Sequence, residues 1–411
     1  MTKNIVITGI GATTPIGGTA RDSWTALLAG ASGARALTQE WVERLELPVK
    51  FAAQGLVPAA DILERHEVKR LDPSSQFALI AGREAWADAG APEIESERLA
   101  VEWATGIGGV WTLLDAWDTL RERGPRRVLP MTVPMLMPNG PAAAVGMDLQ
   151  ARAGVRTAVS ACASSTESLV NAYDRLQAGL ADIVVAGGSE AAIHPITIAS
   201  FASMQALSKR NDDPAHASRP YDVNRDGFVM GEGAAALVLE TEEHARARGA
   251  RIYGRLLGGA VTSDSYHITA PDSEGLGAAR AMRATLEGAG ASIADVAHIN
   301  VHATSTPVGD IAEYTALKAV FGDRVGEIPV SATKASTGHL LGGAGAIEAI
   351  FTLLALHERT APPTINLTEL DPEIPLDVVR TPRALPAGDL VAISNSFGFG
   401  GHNAVVAIAT A

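Results

Sequence analysis

Short apolar runs rich in β-branched residues alternate along this chain with helix-like stretches that end in glycine, and the alternation restarts near Arg251. The first set is NIVITGIG from Asn4, LAVEWATGIGG from Leu99, TAVSACASS from Thr157, DIVVAGGSEAAI from Asp182 and GAAALVLET from Gly233. Between them lie SSQFALIAGREAWADAG and STESLVNAYDRLQAGLA, whose apolar spacing and terminal glycine read as capped helices. The second set is RIYGRLLGGAV, HINVHATST, IPVSATKAST and DLVAISNSFGFGGHNAVVAIAT. Alternation of this kind predicts an α/β fold. The charged stretch LETEEHARARGAR connects the two sets, so the expected halves are residues 1–250 and 251–411. Val159-Ser160-Ala161-Cys162-Ala163-Ser164 also matches Val330-Ser331-Ala332-Thr333-Lys334-Ala335-Ser336, each a strand running into a helix start. A duplicated unit explains the match; small residues shared by unrelated strand-to-helix junctions are the alternative.

Charge and cysteine usage narrow the classes of partner and compartment. Lys+Arg 33 against Asp+Glu 46 leaves a net charge of −13, whose field repels nucleic acid and anionic membranes, so neither is expected as a partner. A single cysteine excludes an intrachain disulfide and fits a reducing compartment. The opening MTKNIVITGIGATTPIGG lacks the basic and apolar regions of a signal peptide, which points to the cytoplasm. The most apolar long stretch, LLGGAGAIEAIFTLLAL, contains Glu348 and predicts a buried helix rather than a membrane span.

Cys162 follows a strand-like run and precedes an amphipathic helix. That position offers unpaired N–H groups and a helix dipole that favour a thiolate and an oxyanion; a small buried hydrophobe is the plainer alternative. A nucleophilic cysteine needs proton handling, and His302 in NVHATSTPVGD and His339 in KASTGHLLGGAGAIE both follow strand-like runs, where α/β folds place reactive groups. Lys334 and Glu348 flank His339 in sequence and can pair around it, or form an ordinary surface salt bridge. The loop NSFGFGGHN, with Phe399 among glycines, can bring backbone N–H groups to a ligand and let a ring swing. Gly9-Ile10-Gly11 and Gly106-Ile107-Gly108 each lack the third glycine of a dinucleotide fingerprint. No HExxH or CxxC motif occurs, so no transition-metal site is expected, and no G-x-S-x-G elbow is present. The basic clusters at Lys69-Arg70, Arg123 to Arg127 and Lys209-Arg210 read by default as solvated surface.

Four ordered segments, VSACASS, NVHATSTPVGD, KASTGHLLGGAGAIE and NSFGFGGHN, together with SRPYDVNRDGFVMGEGAAALVLE, resemble the β-ketoacyl-acyl-carrier-protein synthases over nearly the whole chain. More narrowly, the chain is similar to the type II elongating condensing enzymes of bacterial fatty acid synthesis. The resemblance implies a thiolase-like fold, with duplicated βαβ halves in a five-layered αβαβα core, usually as a homodimer. It implies decarboxylative Claisen condensation of an acyl chain with malonyl carried on acyl carrier protein. Cys162 would carry the acyl group, with the amides of Cys162 and Phe399 as oxyanion hole and Phe399 as gate. His302 and His339 would donate to the malonyl thioester carbonyl, with Lys334 and Glu348 setting orientation and charge around His339. Ile107 would line the acyl pocket, and Lys69, Arg70, Arg126 and Arg127 would dock the acidic carrier. No resident organic cofactor is implied, since phosphopantetheine arrives on the carrier; the resemblance leaves room for a structural monovalent cation.

Ala303, His402 and Gln205 depart from the family pattern, where many relatives have glycine, threonine and arginine; the last reduces the docking patch. A ketosynthase of a polyketide or mycolate-type pathway shares every catalytic residue and is the main alternative. The non-catalytic chain-length partner subunits lack the active cysteine. Initiating synthases pair cysteine with histidine and asparagine, and thiolases carry a second cysteine.

Overall fold

The computed structural model describes residues 3–411. Its first strand, β1 (Ile5–Thr13), is buried at every position, the signature of a strand covered on both faces. The other strands of the main sheet are β2 (Leu99–Ala104), β3 (Gly154–Ala158), β4 (Ile183–Glu190) and β5 (Gly233–Thr241) in the first half. The second half contributes β6 (Gly254–Ser263), β7 (Val296–Asn300), β8 (Val330–Ser331), β9 (Val391–Gly398) and β10 (His402–Thr410). Their spatial order is β3-β2-β4-β5-β1 followed by β6-β10-β9-β7-β8. Numbered within its own half and read from the outer edge of the sheet inward, each set runs third, second, fourth, fifth, first, with the first three neighbours parallel and the rest antiparallel. The duplication suggested by the short sequence match is therefore a duplication of topology. The halves join where Ile5–Ile7 pair antiparallel with Gly254–Leu256, making one ten-stranded sheet.

The principal helices are α1 (Pro73–Asp88), α2 (Val110–Arg123), α3 (Gly140–Asp148), α4 (Ser164–Gln177), α5 (Pro195–Ser203), α6 (Leu276–Gly288), α7 (Pro307–Phe321) and α8 (Ala344–His357). α1 and α3 cover the outer face of the first half, α6 and α7 that of the second, and α4 and α8 pack together between them. The result is the five-layered αβαβα arrangement of the thiolase-like fold. α8 is buried from Ala344 to Leu356 because it touches strands of both halves and α4, which accounts for an apolar sequence that is not a membrane span. Among the described residues no helix is long and apolar enough to cross a membrane. The crossing of α4 and α8 is close: a β-carbon at Gly345 would overlap Thr166 Oγ1.

Two segments differ from their reading as simple strands. DLVAISNSFGFGGHNAVVAIAT is a hairpin, with β9 turning through Phe399–Gly401 into β10. β3 stops at Ala158, and Ala161 then takes a φ of +50°, so the chain leaves the sheet plane just before Cys162.

Candidate active site

Every reactive side chain sits on a turn that leaves a strand of this sheet. Cys162 lies in the 3-10 turn Ala161–Ala163 that leads into α4. His302 follows β7, and His339 follows β8 and a single helical turn, Lys334–Thr337. The His302 turn is clamped by α7: Glu313 accepts the N–H groups of His302 at 2.8 Å and Ala303 at 2.7 Å. Asp310, on the same helix, accepts the Ser305 N–H at 3.1 Å. The clamp holds Ala303 and Ser305 at φ of +21° and +70°. His339 is held by its backbone, donating to the Val229 carbonyl and accepting from the Gly231 N–H, both at 2.8 Å.

These turns bring Cys162, His302 and His339 together with their ligand-capable atoms all within 4.8 Å of one another. The two imidazoles meet edge to face at a centroid distance of 5.4 Å. Both are buried and both are held well below the ordinary histidine range, chiefly by burial and also by the charge of Lys334. They are therefore neutral at pH 7, each with one N–H donor and one acceptor nitrogen. Among the described residues, His302 Nδ1 and both nitrogens of His339 have no hydrogen-bond partner. A thiol and two imidazoles also suit zinc, but the Lys334 ammonium beside them opposes a second cation there.

The helix-start position predicts a lowered thiol pKa, and the structure corrects that expectation. Burial pushes the Cys162 thiol up to about 11, against the opposing pull of Lys334 and of the Phe399 N–H that faces the sulfur. Cys162 is therefore a thiol at rest. The Phe399 amide is in place because Gly398 packs on the cysteine turn: a β-carbon there would stand 2.9 Å from the Cys162 nitrogen. The Phe399 ring is 6.4 Å from Phe201, which meets Phe228 at 5.3 Å, which in turn meets His339 at 5.4 Å. Phe399 and His339 thus share one aromatic row.

Lys334 Nζ donates to Glu348 Oε1 in a fully buried pair, not on the surface. Burial raises Glu348 while the ammonium works against it. The pair makes no hydrogen bond to His339, so its influence on the imidazoles is by charge alone. Ile107 lies in the turn after β2, 39% exposed. Lys69, Arg70, Arg126 and Arg127 are all exposed and, among the described residues, none is in an ion pair. The His402 ring packs beneath Gly400 of the hairpin turn, with Cδ2 3.1 Å from where a β-carbon would stand.

Two carboxylates escape the sequence reading, Glu313 and Glu190. Their only signal is a charge inside an otherwise buried run, such as Glu190 at the end of β4. Glu313 also accepts from Asn395 Nδ2 at 3.2 Å. Around it, Asn300 Oδ1, Ser394 Oγ, Asn395 Oδ1 and Glu348 Oε2 are buried with no hydrogen-bond partner among the described residues, and the charge of Glu313 adds to the burial that raises Glu348. Orphaned oxygens beside two carboxylates fit a hard monovalent cation.

Comparison with known proteins agrees with this arrangement. The N-terminal domain of the beta-ketoacyl synthases matches residues 2–245 and their C-terminal domain residues 253–368. The 3-oxoacyl-[acyl-carrier-protein] synthase 2 of Mycobacterium bovis is 45% identical over 406 residues, 98% of this chain and 96% of that protein. The crystal structure of a beta-ketoacyl synthase from Burkholderia phymatum STM815 superposes with a TM-score of 0.91 at 35% identity, covering 100% of both chains. A structure of a type II polyketide-synthase acyl-carrier protein in complex with its ketosynthase, bound to the hexaketide, superposes at 0.92 with 30% identity, again over 100% of both chains. With both family domains in order and the cysteine and two histidines converging, the chain belongs to the beta-ketoacyl synthase family.

Proposed function

We propose that this enzyme elongates acyl chains by decarboxylative condensation, drawing acyl and malonyl groups from an acyl carrier protein. The observation that carries the reading is the meeting of Cys162 with two neutral imidazoles under the Phe399 N–H. Cys162 Sγ attacks the acyl thioester carbon, the carbon–sulfur bond to the carrier breaks, and the thiol proton leaves with the carrier thiol. The Phe399 and Cys162 amides stabilise the tetrahedral oxyanion. Malonyl thioester then binds, and N–H groups of His302 and His339 hold its carbonyl oxygen. As the carboxyl carbon–carbon bond breaks, CO2 departs and the electron pair becomes an enolate held by those donors. The enolate carbon attacks the acyl carbon on Cys162, and the released thiolate takes up a proton. Neutral imidazoles suit this step, because each presents a donor without protonating the carbanion ahead of condensation.

The exposed, unpaired cations Lys69, Arg70, Arg126 and Arg127 support docking of an acidic carrier despite the negative total charge. A homodimer is supported by β3, an edge strand whose Val155 is exposed, and by exposed Leu113, Trp117 and Leu129 on and after α2. Glu313, Glu348, Asn300, Ser394 and Asn395 would hold the monovalent cation, whose charge would relieve the repulsion between the two carboxylates. Phosphopantetheine comes with the carrier. The lone, free thiol fits the cytoplasm. A polyketide role is the second reading, favoured by the 0.92 superposition but at 30% identity against 45% for the fatty-acid relative.

Intact-protein mass after incubation with acyl carrier protein, followed by a malonyl-carrier chase, tests the proposal. An acyl adduct that disappears as β-ketoacyl product is expected, and Cys162→Ala should abolish it. His302→Ala and His339→Ala should acylate yet fail to decarboxylate; equal loss of both steps would contradict the division of labour.

A further inference from the structure

Glu190 is a buried carboxylate that accepts four hydrogen bonds and that no step above requires. It ends β4, has no exposed surface, and gathers four donors from two separate segments. Oε1 accepts from Thr105 Oγ1 at 2.9 Å and from the Ile107 N–H at 3.2 Å. Oε2 accepts the N–H of Gly106 at 2.8 Å and of Gly342 at 2.9 Å. The first segment carries Ile107; the second is the turn that follows His339 and continues into α8. The two backbones touch directly: a β-carbon at Gly342 would overlap the Gly106 nitrogen, and one at Gly106 would stand 2.7 Å from Glu190 Oε2. Leu341, next to the contact, is held at a φ of +48°.

We infer that Glu190 is a positioning residue that couples the acyl-side turn, Thr105 to Ile107, to the turn that places His339. The inference rests on the proposed condensation and on Ile107 lining the acyl side. A carboxylate is a rigid plane, so displacing one oxygen displaces the other. A chain that shifts Ile107 tilts Glu190 and moves Gly342, with no side chain between the backbones to absorb the motion. Occupancy of the acyl side thereby sets the aim of His339 at the malonyl carbonyl, although Glu190 touches neither substrate.

Thr105→Val is the discriminating variant, because it keeps the shape of a fully buried side chain and acts on the acyl side only, where it removes the donor to Glu190 and the acceptor of the Gly108 N–H at 3.1 Å. Acyl transfer to Cys162, CO2 release from malonyl carrier protein and thermal midpoint are measured for wild type, Thr105→Val and Glu190→Gln. Loss of the hydrogen bond to Glu190 predicts that Thr105→Val slows CO2 release from the acylated enzyme about five- to tenfold with malonyl KM near wild type, while the second bond lost, from the Gly108 N–H, lowers the thermal midpoint only slightly. Glu190→Gln, which turns an amide N–H toward backbone donors, should exceed that effect. CO2 release at the wild-type rate in Thr105→Val overturns the coupling, as does a uniform fall of both steps together with the midpoint, the mark of a structural staple. Should Glu190→Gln fail to fold, Thr105→Val alone decides. A wild-type enzyme that is never acylated at Cys162 refutes the proposed function instead.

Discussion

Ala161 and Ala303 both occupy left-handed backbone, at φ of +50° and +21°, and both flank a reactive side chain. Strain of roughly 1–3 kcal/mol at each such residue persists only because neighbours over-determine the turn, and for Ala303 the determinant is the Glu313 carboxylate. Replacing Ala303 with glycine should relieve the strain while keeping both N–H bonds, leaving stability and acylation close to wild type when measured by denaturant melts and adduct mass. The cysteine makes a sharper prediction. An ordinary thiol is fully ionised soon above pH 9, whereas one held at about 11 is thiolate in roughly one molecule in ten thousand at pH 7. Because burial raises this acid, ionisation is postponed to higher pH. Alkylation of Cys162 by iodoacetamide should therefore climb about tenfold per pH unit from pH 7 to pH 10 without levelling off. A plateau near pH 8.5 would show that the helix start outweighs burial.

At the scale of elements, the site is a meeting of strand ends and helix starts drawn from both halves. β7 supplies Asn300, β9 supplies Ser394 and Asn395, α7 supplies Glu313 and α8 supplies Glu348, and Ser394 sits opposite Asn300 in the parallel register. β7, β9 and α8 thus bring oxygens that nothing among the described residues satisfies to the neighbourhood of the α7 carboxylate. Exchanging sodium and potassium for choline at constant ionic strength should lower the thermal midpoint by several degrees, and restoring the small cation should recover it. Indifference to the exchange would assign those oxygens to water. The buried Lys334–Glu348 pair behaves differently: removing one partner strands the other's charge, at a cost of about 3–5 kcal/mol.

For the whole molecule, the exposed edge of β3 and the apolar side chains of α2 predict a dimer of twice the 42.6 kDa chain mass by light scattering. Trp117→Asp, on an exposed position of α2, should shift the mass toward the monomer without unfolding the chain. Much of this was legible in the residues. The apolar runs located the strands because covered strands must be apolar throughout, and the four motifs marked Cys162, His302 and His339 because each lies where a strand hands over to a helix. Local chemistry could not say which way the thiol would titrate. A helix start lowers a pKa and burial raises it, and how far Cys162 is buried depends on β9, more than two hundred residues away in sequence. Nor could it find Glu190 or Glu313, most of whose partners are backbone N–H groups with no letter in the sequence. The chain's own sequence thus determined which groups are available and which segments are strand or helix, since those follow from side-chain type and period. Only the tertiary structure decided how the groups are charged and what holds them, because desolvation and backbone hydrogen bonding arise from packing between the two halves.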